Sequence, residues 1–449
     1  MSTLNVDKVD PSSGTALELG TSGDTITVPT GAGLTVTDEV KTNKVPPATG
    51  TAFALGDSGD TFTVPSGATI VNSGTATGFG ITQTNFTPNA QPIFYNGEMT
   101  VSQRGNATGI TNANSGYYGP DRYKLNEDGT MTAILSITQE TLTSGNAWAD
   151  GFNSALKYDV TTADASVAAD IYARIEQRFE KGDLSLFKKG TSGAETYTLA
   201  FWVKATVTGT NVVELQDQVN TRHCCASYTV SSTDTWEHKV LNFAADTSGP
   251  LGNGNGIGMQ VNFALQAGTN YTSGTLATAW AASTDANRAV GQVNNFSSTS
   301  NNFHITGVQL EVGTYTSSDL PPFQHESYGD NLFRCERYYQ VISKKRGSSY
   351  ENEVVPATQY DSSQFYATYL FRTVMRTPPT LESASGTNYF TFYRNGANVQ
   401  FDDYLLDKSS VYSVSIYKGS VSGTGGDGGW TRWVNNAPDN SLVALTGEL

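Results

Sequence analysis

The stretch YTLAFWVK, residues 197–204, sends Tyr197, Leu199, Phe201 and Val203 to one side of the chain. An apolar period of two is the mark of a strand with one face buried. MQVNFALQ, residues 259–266, repeats it: Met259, Val261, Phe263 and Leu265 are predicted to face a core, and Gln260, Asn262 and Gln266 to face out. In FHITGVQLEV, residues 303–312, the phase slips across Thr306-Gly307, which predicts a β-bulge. DIYARIEQRFEK, residues 170–181, fits both periods; the regular strands that follow it favour a strand. Together these stretches predict an all-β, antiparallel fold.

The rest of the chain agrees. Its 449 residues correspond to about three domains. With 45 glycines and abundant threonine it reads as strands joined by many turns. A net charge of −15 argues against nucleic acid, whose phosphates need clustered Lys and Arg. No run of 18 apolar residues exists, so no membrane insertion is expected. The opening MSTLNVDKVD lacks the basic-then-apolar layout of a secretory signal. Three cysteines are too few for a disulfide framework.

Aromatic residues divide the chain into three. There are three in the first 80 residues, 25 in residues 81–325 and 20 in the last 124. The first region holds a repeat: GTALELGTSGDTITVPTGA at 14–32 and GTAFALGDSGDTFTVPSGA at 50–68 agree at 14 of 19 positions. Each unit carries a Ser-Gly-Asp turn, a short strand and a closing proline, Pro29 or Pro65. So few large apolar residues do not order 80 residues alone, and the simplest neighbour is another copy around a symmetry axis. In the last region DNLFRCERYYQVI, residues 330–342, predicts a helix capped by Asp330, with Leu332, Cys335, Tyr338 or Tyr339, and Ile342 on one face. Asn395-Gly396 between two apolar runs predicts a hairpin. Tyr412, Val414 and Ile416 alternate as a strand. GTGGDGG, residues 423–429, predicts a flexible loop.

Specific residues carry a family resemblance. The opening STLNVDKVDPSSGTALELGTSGDTITVPTGA resembles the N-terminal repeats of tail fibre proteins of marine (cyanophage- or pelagiphage-like) bacteriophages. FYNGEMTVSQRG, YYGPDRYKL and YTLAFWVKATVTG resemble the jelly-roll, carbohydrate-binding-module-like domain of the same proteins. SGTLATAW, NRAVGQVNNFSSTSNNFHITGVQLEVG and FQHESYGDNLFRCERYY resemble the end of that domain and the helix that opens the C-terminal one. The resemblance covers about residues 1–345. It implies an elongated virion protein with a repeat and virion-attachment shaft over 1–84, a jelly roll over 85–325 and a mostly-β tip over 326–449 opened by a short helix. It implies a homotrimer joined to phage tail or adaptor proteins through its N-terminus. It also implies a tip directed at a host glycan or outer-membrane protein, on an extracellular particle assembled in the host cytoplasm.

Chemistry is sparse. No G-x-S-x-G or H-E-x-x-H occurs, and His223, His238, His304 and His325 adjoin no nucleophile elbow. His223-Cys224-Cys225 lacks the C-x-x-C spacing of a metal site, so no metal and no cofactor are expected. Asp402-Asp403 sit side by side and should point to opposite faces, against a shared hydrolytic site. The Gly-Asp turns at Asp24, Asp60 and Asp427 read as turn caps rather than calcium sites. No catalytic residue is assigned. Recognition of a glycan needs flat apolar faces beside a few polar groups. The candidates are Trp430 and Trp433 with Asp427, then Tyr404 and Tyr417; Trp148 and Trp280 are secondary. A tryptophan in a β-domain belongs as a rule to the core, but Trp430 borders a loop almost empty of side chains. The expected function is host binding without catalysis. The alternatives are a decoration fibre or adaptor without receptor contact, and a glycan-degrading tailspike.

Overall fold

The structure, a computed structural model, describes residues 92–347 and 352–449. The repeats and shaft of residues 1–84, with their turns at Asp24 and Asp60, lie outside the described residues. The described residues form one compact unit, and its regular structure is almost entirely antiparallel strand.

The central region is a jelly-roll sandwich of two six-stranded sheets. One runs, in spatial order, Ala107–Ile110, Ile134–Thr141, Ser154–Thr162, Asn302–Val312, Tyr197–Ala205 and Glu237–Phe243. The other runs Ala281–Ala282, Arg222–Val230, Gly209–Asp217, Ile257–Ala267, Tyr172–Glu180 and Lys124–Asp128. Tyr197, Leu199, Phe201 and Val203 all enter the core between them, facing Met259, Val261, Phe263 and Leu265. The ambiguous 170–181 stretch is the strand Tyr172–Glu180. The bulge is present: pairing of Asn302–Val312 with Tyr197–Ala205 shifts between Thr306 and Gln309. Gly307 sits there at φ +60, a left-handed conformation that glycine adopts without strain.

One expectation fails instructively. Gln260, Asn262 and Gln266 do alternate with the core residues, but they are buried rather than solvated. Residues 268–296 fold back over that face of the sheet and bury Tyr271, Arg288, Ala289 and Asn295. The polar side chains find partners beneath that segment: Gln266 donates to the Asp164 carbonyl at 3.2 Å, and Asn262 donates at 2.9 Å to Glu214, which Arg288 of the segment also grips. Period-two alternation reports two faces of a strand; it does not report what covers the second.

The C-terminal region is built from a seven-stranded sheet and a three-stranded one. The larger runs Ala397–Phe401, Phe390–Arg394, Gly428–Trp433, Glu353–Gln359, Phe365–Leu370, Ser413–Lys418 and Leu405–Ser409. Its inner face packs Phe365, Phe390, Phe392 and Ile416 against Val443 and Leu445 of the smaller sheet, Tyr339–Lys344, Leu442–Thr446 and Thr380–Ser383. Asn395 and Gly396 form the hairpin turn, both at positive φ, as a type I′ turn requires.

Several local expectations are corrected. The helix is Tyr328–Glu336, and its N-cap is Ser327, whose hydroxyl accepts from the Asp330 amide at 3.2 Å. Asp330 sits three residues inside and accepts from that hydroxyl at 2.6 Å, so it completes the cap rather than forming it. Tyr338 follows the helix, and Tyr339 begins a strand, so neither shares the helical face with Leu332 and Cys335. Tyr412 precedes its strand and is exposed, while Val414 and Ile416 are buried as expected. Of the 423–429 run only the first part is loop; Gly428 and Gly429 open the strand Gly428–Trp433. Asp402 and Asp403 follow the strand Ala397–Phe401; Asp402 accepts from the Asn388 amide and Asp403 pairs with Lys418.

A polar seam joins the two regions. Tyr338 lies in the jelly-roll core cluster. Its hydroxyl donates to Glu180 at 2.7 Å, and Arg337 grips the same carboxylate through bonds of 2.6 and 2.7 Å. The buried Arg122 guanidinium lies 3.5 Å over the Tyr338 ring and pairs with Glu448. Arg178 donates to the Leu449 carbonyl at 2.8 Å. The seam fixes the C-terminal sheets to the jelly roll through charge-assisted, geometrically demanding contacts.

Candidate binding surface

The outer face of the seven-stranded sheet carries an aromatic platform, and its register shows how. Tyr393 pairs with Trp430, Trp430 with Pro356, Thr358 with Tyr366, Tyr366 with Tyr417, and Tyr417 with Leu405. Directly paired residues share a face, as do Pro356 and Thr358 two apart on one strand. Tyr393, Trp430, Tyr366, Tyr417 and Leu405 therefore line one surface across five of the seven strands. The Tyr366 and Tyr417 rings stack at 5.4 Å and 17°, and Tyr360 meets Tyr366 edge-on at 5.4 Å. Arg432 lies 4.5 Å over the Tyr393 ring. Trp430 is 46% exposed and Tyr360 69%.

The sequence-selected residues divide between the faces. Trp430 and the half-buried Tyr417 belong to the platform. Trp433 is fully buried, 4.4 Å from the Phe390 ring, and its indole N–H donates to Ser343 at 2.9 Å. Tyr404 is buried among Phe365, Phe390 and Phe401. Both are core residues and neither can meet a ligand. Asp427 lies beside Arg394 at 3.4 Å, and its carbonyl accepts from the Gln359 amide at 2.8 Å. It fixes the turn that starts the Trp430 strand. In the jelly roll, Trp148 is 47% exposed on the one-turn helix Asn146–Ala149. Trp280 is half-buried against the core, donates to the Ala244 carbonyl at 2.8 Å and lies under the Lys189 ammonium.

Tyr360, Tyr366 and Tyr393 were not selected from sequence. One signal was available for Tyr393: it precedes the Asn-Gly turn by two residues, and strand alternation puts it opposite the buried Phe392. Its pairing with Trp430 depends on a strand 37 residues away, which no local pattern shows.

His223-Cys224-Cys225 lies under the covering segment 268–296. Donor atoms of Glu214, His223 and Cys225 fall within 4.8 Å of one another. The carboxylate is already taken. Glu214 accepts from Arg288 through each oxygen at 2.9 Å, from His223 at 3.0 Å and from Asn262 at 2.9 Å. A cation here would have to displace a guanidinium. Burial opposes ionisation of Glu214, yet Arg288 together with the hydrogen bonds from His223 and Asn262 outweighs it and holds the carboxyl down at about 2. Burial pushes the Cys224 thiol up to about 11 and Cys225 higher still, so neither is a thiolate near neutrality. Among the described residues no helix is long and apolar enough to cross a membrane.

No protein-family model matches the chain, and no curated protein matches it. Among solved structures it is similar to the enzymatically active domain of tailspike protein 4 of bacteriophage CBA120, at 13% identity over 46% of this chain and 21% of that one, TM-score 0.25. It is also similar to a CBM4 structure, at 11% identity over 48% of this chain and 97% of that one, TM-score 0.23. A third is the tandem CBM22 domain of Paenibacillus barcinonensis Xyn10C, at 8% identity over 78% of this chain and 98% of that one, TM-score 0.23. The chain spans about a fifth of the tailspike domain's length. At these TM-scores the likenesses carry no functional argument, which has to rest on the chemistry of the site.

Proposed function

We propose that this chain is a phage tail fibre that binds the host surface through the outer face of its C-terminal sheet, with an envelope glycan as ligand and no catalytic step. The observation that carries the reading is the platform itself: Tyr393, Trp430, Tyr366 and Tyr417 on one face of one sheet, with Trp430 exposed. Strands lie about 4.8 Å apart, so aromatic rings recur on the scale of successive sugar rings. Rigid aromatic side chains are the groups that carry most binding energy at an interface. The residues quoted over 1–345 support the tail-fibre part, together with a homotrimer attached to the virion through residues 1–84. Binding rather than catalysis is supported by the tight pairing of Glu214 with Arg288 and by the raised thiols of Cys224 and Cys225.

Incubating the purified full chain with envelope polysaccharides from a panel of bacteria tests this. Retention on at least one of them, without release of reducing sugar, is expected. Release of reducing sugar would favour a tailspike. Failure to bind any polysaccharide or intact cell would favour a decoration fibre or adaptor.

A further inference from the structure

A second surface, on the jelly roll, has the architecture of a binding groove. A cleft of 560 Å³ opens on the outside of the sheet that contains Tyr197–Ala205 and Asn302–Val312. One wall is Trp202, paired across the strands with Thr306 on one side and His238 on the other. The indole N–H of Trp202 donates to the Asp150 carboxylate at 3.1 Å, and its ring lies 5.1 Å from the His238 ring. The opposite wall is Phe323 and His325, packed on Phe152 with centroids 4.9 and 5.3 Å away. His325 is held by Glu98 at 3.0 Å, and the other Glu98 oxygen accepts from the Glu326 amide at 2.9 Å. The floor is the bulge at Gly307, where a Cβ would come within 2.7 Å of the Phe152 ring.

Three features define what fits. Trp202 has its N–H satisfied inside the protein, so it offers a ring face, the partner of an apolar ligand face. Asp150, His238 and His325 supply acceptors and donors around that face, as a ligand rich in hydroxyls requires. No Lys or Arg lines this hollow, while Asp150 is in it and Glu98 stands directly behind His325; Lys239, which lines its continuation along Glu237–Phe243, is already paired with Glu237 at 2.6 Å. An anionic ligand would meet carboxylates without a compensating cation. Over Tyr197–Ala205 and Asn302–Val312 an extended peptide would find no ladder to join, because both strands are paired on both sides; Glu237–Phe243 lies at the sheet's edge. The cleft also continues: a hollow of 440 Å³ along Glu237–Phe243 shares His238 and Ser317 with it. The ligand is therefore longer than one ring.

The geometry points to a neutral oligosaccharide site in this jelly-roll groove, with Trp202 as the stacking surface and Asp150 as positioning residue and hydroxyl acceptor. The site is separate from the C-terminal platform and does not rest on it.

Calorimetric titration of the full chain with cellopentaose, xylopentaose, mannopentaose and laminaripentaose tests this, with oligogalacturonate as the anionic probe. At least one neutral pentasaccharide should bind the wild type and the control variant Tyr412→Ala, at an exposed position outside both surfaces, equally. Trp202→Ala should weaken it at least tenfold and Trp202→Phe less. Asp150→Asn, at an exposed position, should weaken it several-fold even if Trp202→Ala does not fold. Oligogalacturonate should not compete. No binding by any neutral probe, binding unchanged by both Trp202→Ala and Asp150→Asn, or preference for oligogalacturonate would each overturn the assignment. Binding lost in Trp430→Ala but kept in Trp202→Ala would assign the sugar to the C-terminal platform alone.

Discussion

Trp430 and Trp433 lie on one six-residue strand and point to opposite faces of one sheet. An odd spacing on a strand reverses the face. The first is nearly half exposed beside Tyr393; the second is sealed against Phe390. The same substitution should therefore do different things at the two positions. Trp433→Ala is expected to cost about 3–5 kcal/mol of folding stability. Trp430→Ala should leave the melting temperature within a few degrees of wild type and weaken ligand binding by about 1–3 kcal/mol. Thermal melts of the two variants check this; equal destabilisation would contradict the assignment of faces.

Gly429 precedes Trp430 on that strand, and a Cβ there would lie 2.1 Å from the Tyr393 carbonyl oxygen. Gly429→Ala should push apart the strands that carry Tyr393 and Trp430, at a cost of about 1–3 kcal/mol. Measured by chemical denaturation, a neutral result would mean that these strands do not pair as described.

Below neutrality the jelly roll should lose stability in a defined window. Glu214 is held at about 2 in the folded chain, against 4.5 for a free carboxyl. A depressed carboxyl contributes stability that is complete above the unfolded value and is lost as pH falls through the folded one. The loss should fall between pH of about 4.5 and 2 and amount to about 3 kcal/mol. Arg288→Met should remove that acid limb. It should also destabilise the chain at pH 7 by about 3–5 kcal/mol, since it leaves a buried carboxylate unpaired. Denaturation curves at several pH values, for both chains, check the sign.

The buried thiols give a fourth test. Cys224, Cys225 and Cys335 are all buried, and burial raises each thiol. A disulfide reagent at pH 8 should label none of them in the folded chain and all of them after denaturation. Rapid labelling of native protein would contradict the covering of Cys225 by Arg288, whose carbonyl accepts from that thiol at 3.4 Å.

The repeats at 14–32 and 50–68 carry few apolar residues, and that is the ground for expecting association. Light scattering should give about three times the 47.9 kDa chain mass. A monomer with a folded N-terminus would contradict the trimer.

The all-β class, the inward residues of YTLAFWVK, the bulge at Gly307 and the Asn395-Gly396 hairpin were legible because each is written in a local pattern. What failed was set by distant chain. Gln260 and Asn262 look like solvated residues until residues 268–296 are folded over them. Tyr404 looks like a free ring until Phe365 and Phe390 surround it. The platform needed the pairing of five strands, and the jelly-roll cleft needed Asp150, Trp202, His238 and His325 from four separate segments. No signal within a window of ten residues links them.

The seam at Arg122, Tyr338 and Glu448 also decides how the account should be tested. Removing residues 326–449 would take Tyr338 out of the jelly-roll core, so truncation confuses folding with binding. Point variants on the outer face do not. The most direct measurement is binding of the full chain and of Trp430→Ala to an array of bacterial surface polysaccharides, with melting temperatures taken in parallel. The account predicts that the wild type is retained on at least one polysaccharide and that Trp430→Ala, equally stable, loses about tenfold or more of that affinity. Undiminished binding by a folded Trp430→Ala chain to every polysaccharide that retains the wild type would contradict it.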